Sequence, residues 1–136
     1  MQYFLIMIKL LQNSLTTKYF QFSGRASRKE DWIFSITFFF TLYFLSFFQF
    51  YYLYFFTLFI VIIPDLSLDI RRLHDINLSG WWLLVIYITA FFLYFNLIPI
   101  TIGFFQINLL SSLFSILLGI VPSTPTTNKY GEPPTE

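Results

Sequence analysis

Two stretches of this chain carry no charged side chain at all, Trp32 to Pro64 and Trp81 to Val121. As continuous helix the first would be about 50 Å long, against roughly 30 Å for the hydrocarbon core of a bilayer. Each run is too long for one span and divides better into two. In the first, a tight turn is expected near Gln49-Phe50-Tyr51-Tyr52, whose tyrosines suit an interface. In the second, Asn96, Pro99, Thr101 and Gly103 mark a break between spans at about 81–97 and 104–121. Composition agrees with lipid as the solvent. Only 11% of the 136 residues are charged and 57% are hydrophobic, where an ordinary soluble domain carries about 25% charged residues. A soluble fold of this length could not hide so much apolar surface.

The polar segments then organise what lies between. Residues 1–20 open apolar, but Lys9 interrupts too early for a span, and Phe4, Met7, Ile8, Leu11 and Leu15 fall on one helical face opposite Lys9, Gln12, Asn13 and Thr16. This predicts an amphipathic helix lying in the membrane interface. A basic turn follows, in which Ser27 and Glu30 have capping-box spacing and Arg25, Arg28 and Lys29 can reach phosphate head groups beside Trp32. The island Arg71-Arg72-Leu73-His74-Asp75-Ile76-Asn77-Leu78-Ser79-Gly80-Trp81-Trp82 separates the two apolar runs. Within it, ion pairs Arg71–Asp75 and Asp69–Arg72 are expected from helical spacing, as is a helix start at Trp81 capped by Asn77 or Ser79.

The expected fold is therefore all-α and membrane-embedded. It has about four transmembrane helices in two hairpins plus the N-terminal interfacial amphipathic helix. Residues 1–31 form that helix and the basic turn, 32–121 the transmembrane domain with a loop at 69–80, and 122–136 a flexible tail rich in turn formers. With four spans the N-terminal segment, the loop and the tail share one side, which then holds every Lys and Arg; the positive-inside rule makes that side cytoplasmic.

Several chemistries are excluded or disfavoured. There is no cysteine, hence no disulfide or thiolate site, and a net charge of +1 is too small for nucleic acid as a partner. His74 is the sole histidine. Beside Asp75 it could act as a base or metal ligand. The simpler expectation is that it hydrogen-bonds a backbone carbonyl while the neighbouring charges pair. Arg25, Arg28, Lys29, Arg71 and Arg72 form a candidate cradle for anionic lipid or an acidic protein partner. Trp81 and Trp82 read as interfacial belt residues. The span interiors show no ionisable side chain, which disfavours a transporter working alone.

Three blocks carry a resemblance. They are Tyr19-x-x-Phe22-x-Gly24-Arg25-Ala26-Ser27-Arg28-x-Glu30-x-Trp32, then Arg71-Arg72-Leu73-His74-Asp75 with Ser79-Gly80-Trp81-Trp82, and Asn128-Lys129-Tyr130-Gly131-x-Pro133. In order and spacing the chain resembles the domain of unknown function 805 family of small bacterial inner-membrane proteins. It departs from that pattern at Asp31, Asp69 and Thr126 and in a longer apolar region after Pro99. The resemblance implies a bacterial plasma-membrane protein and no mechanism; Gly24, Trp32, His74, Asp75, Ser79, Gly80, Trp81 and Trp82 stand as its structural motif. The function expected is a non-enzymatic accessory or scaffold protein binding anionic lipid or a protein partner, a homo-oligomer included, with no catalytic residue, metal or cofactor assigned. The alternatives are a membrane-bound enzyme acting on a lipid phosphate and a subunit of a transport system.

Overall fold

The structure, a computed structural model, describes residues 1–97 and 113–134. These form α1 (Gln2–Leu15), α2 (Arg28–Phe47), α3 (Tyr51–Asp75), α4 (Trp81–Leu97) and a helical stretch at 113–120, here α5, with no strand among them. Residues 104–112 of the expected span at 104–121 lie outside the described residues.

Helix α1 packs on α2 and α3. Its most buried side chain is polar: Ser14 is 1% exposed and donates to Glu30 Oε1 at 3.3 Å. At its end the Thr16 and Thr17 hydroxyls donate to the carbonyls of Gln12 and Asn13. The capping box is half formed. Ser27 Oγ accepts from the Glu30 amide at 3.2 Å, but the Glu30 carboxylate turns inward to Ser14, Lys18 and Arg71.

The turn between α2 and α3 falls at Phe48–Phe50, where the sequence places it, and without glycine. Gln49 takes φ 58°, the Phe50 amide reaches back to Leu45 O at 2.9 Å and the Gln49 amide to Ser46 O at 3.1 Å. This is a Schellman motif with glutamine in the left-handed position. The same device ends α3: Asn77 has φ 64°, with Leu78 N to Leu73 O at 2.9 Å and Asn77 N to His74 O at 3.0 Å. Asn77 thus terminates α3 rather than capping α4, correcting that expectation. Ser79 Oγ alone faces the Trp81 amide, at 3.5 Å.

Helix α3 runs straight through Pro64, which is buried. Proline has no N–H for the carbonyl four residues earlier, and the Tyr19 hydroxyl donates to that carbonyl, Ile60 O, at 2.7 Å. The helix therefore continues to Asp75 and is, among the described residues, the one helix long and apolar enough to cross a membrane. Its ionisable residues Asp65, Asp69, Arg71, Arg72, His74 and Asp75 all follow the charge-free run that ends at Pro64. Helix α4, at 17 residues, is about 25 Å long. A count of four spans is not reached on these helices.

Two small apolar clusters hold the helices together. One joins Ala26, Phe34, Val61 and Leu68 with Leu11, Leu15 and Phe38; the other joins Leu73, Leu83 and Leu118 with Ile70, Ile76, Tyr87 and Phe114. Elsewhere the polarity is inverted. Phe40, Phe56 and Phe59 are 62–79% exposed, whereas Arg71, Arg72, Asp69 and Asp75 are 0–1% exposed.

Candidate functional site

The buried charges gather where the end of α3 meets the turn before α2, the end of α5 and residues 122–131. Asp75 is the hub. Its Oδ1 accepts from Arg25 Nε at 2.8 Å and its Oδ2 from Arg72 Nη1, so both carboxylate oxygens face guanidinium groups. Arg72 extends its Nη2 to the carbonyls of Leu118, at 3.0 Å, and Val121, placing a cation at the C-terminal end of α5 where the open carbonyls and the helix dipole favour one. Arg71 turns the other way, to Glu30 Oε1 at 3.1 Å, and Lys18 completes that cluster at 2.9 Å.

The expected pairs Arg71–Asp75 and Asp69–Arg72 are therefore corrected. Helical spacing permits both, but Arg71 pairs with Glu30 of α2, Arg72 with Asp75 of its own helix, where Arg25 of the preceding turn is a second cation, and Asp69 Oδ1 accepts from the Ser115 hydroxyl at 3.1 Å. Of the remaining polar atoms, Asp31 Oδ1, Asp69 Oδ2, Arg71 Nε and Nη2 and Arg72 Nε are buried without a hydrogen-bond partner.

The tail differs most from expectation. Residues 122–131 are stitched onto the end of α3 instead of hanging loose. Thr124 Oγ1 donates to Asp75 O at 2.7 Å and accepts from Arg25 Nη2 at 3.0 Å. Arg25 Nη1 donates to Thr126 O at 2.8 Å and Gly131 O at 3.2 Å. Asn128 Nδ2 donates to His74 O at 2.9 Å, while its Oδ1 accepts from the Tyr130 amide and closes a tight turn to Gly131, whose φ is 125°. A Pro- and Thr-rich segment builds no core of its own, but it needs none when a buried arginine and two helix-end carbonyls fix its backbone.

His74 lies inside this arrangement. Its Nδ1 is 3.1 Å from Gly24 O; a carbonyl only accepts, so Nδ1 carries the proton, and the expected backbone hydrogen bond is present. Gly24 takes φ 83°, the left-handed conformation that suits glycine. One imidazole face is covered by Tyr130, stacked at 3.7 Å with 7° between planes, and Lys129 Nζ lies 4.9 Å from the Tyr130 ring centre. Asp75 does not orient the imidazole, because its oxygens serve the arginines. Among the described residues no group of three or more His, Asp or Glu side chains is arranged to hold a metal ion.

Arg28 and Lys29 lie in the first turn of α2. They line an open cleft of about 340 Å³ with Trp32, Ile33 and Gly119. Trp32 Nε1 donates to Gly119 O at 3.2 Å, joining α2 to α5. Trp81 and Trp82 are exposed, at 75% and 52%, and Gly80 packs against Ile70, where an added Cβ would come within 3.0 Å. The sequence reading did not single out Glu30, Ser115, Thr124 or Tyr19 as partners of the buried charges and carbonyls. For Asn128 and Tyr130 a signal existed, since both belong to the third motif block.

Inner membrane protein YhaI of Escherichia coli, in strain K12 and in O157:H7, is 34% identical over 81 residues, covering 55% of this chain and 69% of the relative. No solved structure matches. A family model described as protein of unknown function (DUF805) matches residues 19–132, which take in the basic turn, the α3 hub and the tail that closes over it; the chain belongs to that family.

Proposed function

We propose that this chain is a multi-pass protein of the bacterial inner membrane, with its N-terminal segment, the loop after α3 and its tail on the cytoplasmic side. It works without catalysis, as an accessory or scaffold protein whose basic face, with Arg28 and Lys29 outermost, binds anionic lipid or a protein partner. The observation that carries this reading is the inverted polarity of the helices: large aromatics point outward while the Arg-His-Asp block is buried and mutually engaged. Charges inside and phenylalanines outside suit a lipid surround. The inner-membrane relative and the cation excess on the proposed inner face support the placement. The enzymatic alternative loses support, because His74 is held on Gly24 O and covered by Tyr130 while Asp75 serves two arginines.

Two measurements test this. The chain has no cysteine, so single replacements Gln49→Cys, Ser79→Cys and Ser123→Cys can be probed with an impermeant thiol reagent. Labelling of Gln49→Cys alone from the periplasmic side is expected; labelling of Ser79→Cys there overturns the orientation. Native mass spectrometry of protein released gently from its own membrane should retain anionic lipid or a stoichiometric partner. A bare chain overturns the binding role.

A further inference from the structure

Asp31 and Asp69 are each 1% exposed, and among the described residues neither joins an ion pair. Asp69 Oδ1 accepts from the Ser115 hydroxyl, but Asp69 Oδ2 and Asp31 Oδ1 are buried without a donor. We propose that these two carboxyl groups form a proton-binding site where α2, α3 and α5 meet, and that the bound proton governs how firmly α5 is seated. The site goes beyond the basic face and does not depend on what that face binds.

Three observations carry it. The first is the orphaned oxygens. An ionised carboxylate only accepts hydrogen bonds, and a buried one that lacks donors lowers its energy by taking up a proton. Protonation forms an O–H bond on one oxygen and turns an acceptor without a donor into a donor. Ser35, one helical turn after Asp31 and so on the same side of α2, adds a third buried oxygen without a partner. The second is the surrounding charge. Asp69 feels Asp65 and Asp31, with Tyr87 of α4 nearby, while Asp31 feels Asp65 and Glu30 and the cation Arg72. Arg72 is committed elsewhere, its Nη1 and Nη2 going to Asp75, Ser123 and the carbonyls of Leu118 and Val121. Both aspartates lie outside the charge-free runs, Asp31 before Trp32 and Asp69 after Pro64. Burial pushes the Asp31 carboxyl up to about 7 and the Asp69 carboxyl well above the usual carboxylate range. The third is α5. Ser115 Oγ donates to Asp69 at 3.1 Å, and Gly119 packs on Asp31 so closely that an added Cβ would stand 2.9 Å from Oδ2. Ser115 and Gly119 are one turn apart, so one face of α5 covers both carboxyls, and loss of the proton leaves like charges beneath it. A proton fits better than a metal ion, since among the described residues no three acidic side chains are arranged to hold one.

The folded chain holds this proton more tightly than the unfolded chain, whose aspartates titrate near about 4. The stabilisation is therefore complete below about pH 4 and is lost as pH rises through about 7. The test follows the full chain in a non-ionic detergent by infrared spectroscopy, reading the carbonyl stretch of protonated carboxyl groups against pH. Wild type should keep that band at about pH 6, where exposed aspartates are ionised, and lose it with a midpoint near about 7. Asp31→Asn/Asp69→Asn should lack the band. Asparagine keeps an acceptor for Ser115, so this variant should withstand denaturant at about pH 8 better than wild type. Amide exchange at 113–120, corrected for its intrinsic pH dependence, should quicken roughly tenfold from about pH 6 to about pH 8 in wild type, as for one group titrating at about 7, and not in the variant. Absence of the band from wild type at about pH 6, or its survival in the double variant, overturns the site. So does a wild type that stays the more stable of the two at about pH 8. An α5 exchange rate that ignores pH in wild type overturns the coupling to α5. Replacing potassium by sodium at fixed pH and ionic strength should leave the midpoint in place; a midpoint lowered by sodium makes a metal cation the ligand and overturns the assignment to a proton.

Discussion

The bond from Tyr19 to Ile60 offers a sharp test of how α3 survives its internal proline. Pro64 removes the amide that would ordinarily serve Ile60 O, and the Tyr19 hydroxyl, 2.7 Å away, takes its place. Tyr19→Phe deletes that donor and little else. A typical hydrogen bond contributes about 1 kcal/mol net, and bonds between membrane helices average about 0.6 and reach about 1.7 kcal/mol. Tyr19→Phe should therefore destabilise the protein by about 1 kcal/mol. In Pro64→Ala the backbone regains an N–H that can bond Ile60 O, so adding Tyr19→Phe there should cost only a few tenths of a kcal/mol. The ring atoms lost with Pro64 leave a defect common to both arms, and it cancels in the cycle. The assay is reversible unfolding in mixed micelles on the four proteins, read by tryptophan fluorescence or circular dichroism. An equal cost of Tyr19→Phe in both backgrounds would refute the substitution of a side chain for the missing backbone donor.

Other expectations follow from the same geometry. Glu30→Gln leaves Arg71 and Lys18 facing a neutral amide and should destabilise by about 3 kcal/mol, as breaking a buried pair usually does; a denaturant midpoint equal to wild type would contradict the hub. Gln49→Gly relieves a left-handed non-glycine residue and should raise stability by about 1 kcal/mol, while Asn77→Gly should change little because asparagine tolerates that conformation; the two thermal midpoints check the contrast. Tyr130→Phe should keep the stack on His74 and Tyr130→Ala should lose it, for about 1 kcal/mol, visible as a shift of the His74 ring resonances in the alanine variant only. Thr124→Val removes the donor to Asp75 O and an acceptor for Arg25, and should make residues 122–131 exchange amide hydrogens faster.

What was legible in the sequence was what short-range physics dictates. Charge-free runs mark the helices, Ser27 marks the start of α2, and the turn at Gln49 follows from a run too long for one span. The reading stopped where partners come from afar. Spacing along one helix suggested Asp75 for Arg71 and Asp69 for Arg72; Arg71 instead meets Glu30, 41 residues away, while Arg72 takes the Asp75 so freed, three residues along its own helix. The continuation of α3 through Pro64 was hidden for the same reason, since nothing local announces that Tyr19 will serve Ile60. The tail misled because its composition is that of a disordered segment, and composition reports on the core a segment can build, not on the arginine it can wrap.

The closure of the tail over Arg25 also sets an order of events during synthesis. The guanidinium of Arg25 finds its acceptors at Thr124, Thr126 and Gly131, which are 99, 101 and 106 residues further along the chain. At ribosomal elongation rates of about 5–20 residues per second those acceptors arrive roughly 5–20 s after the arginine itself. Throughout that interval a cation destined for burial has no tail carbonyls to meet, so the early helices must hold it at the watery edge of the bilayer. Residues 124–131 then act as the latch on Arg25, and a nascent chain stalled before Thr124 would present an open cationic site where the folded chain presents a closed one.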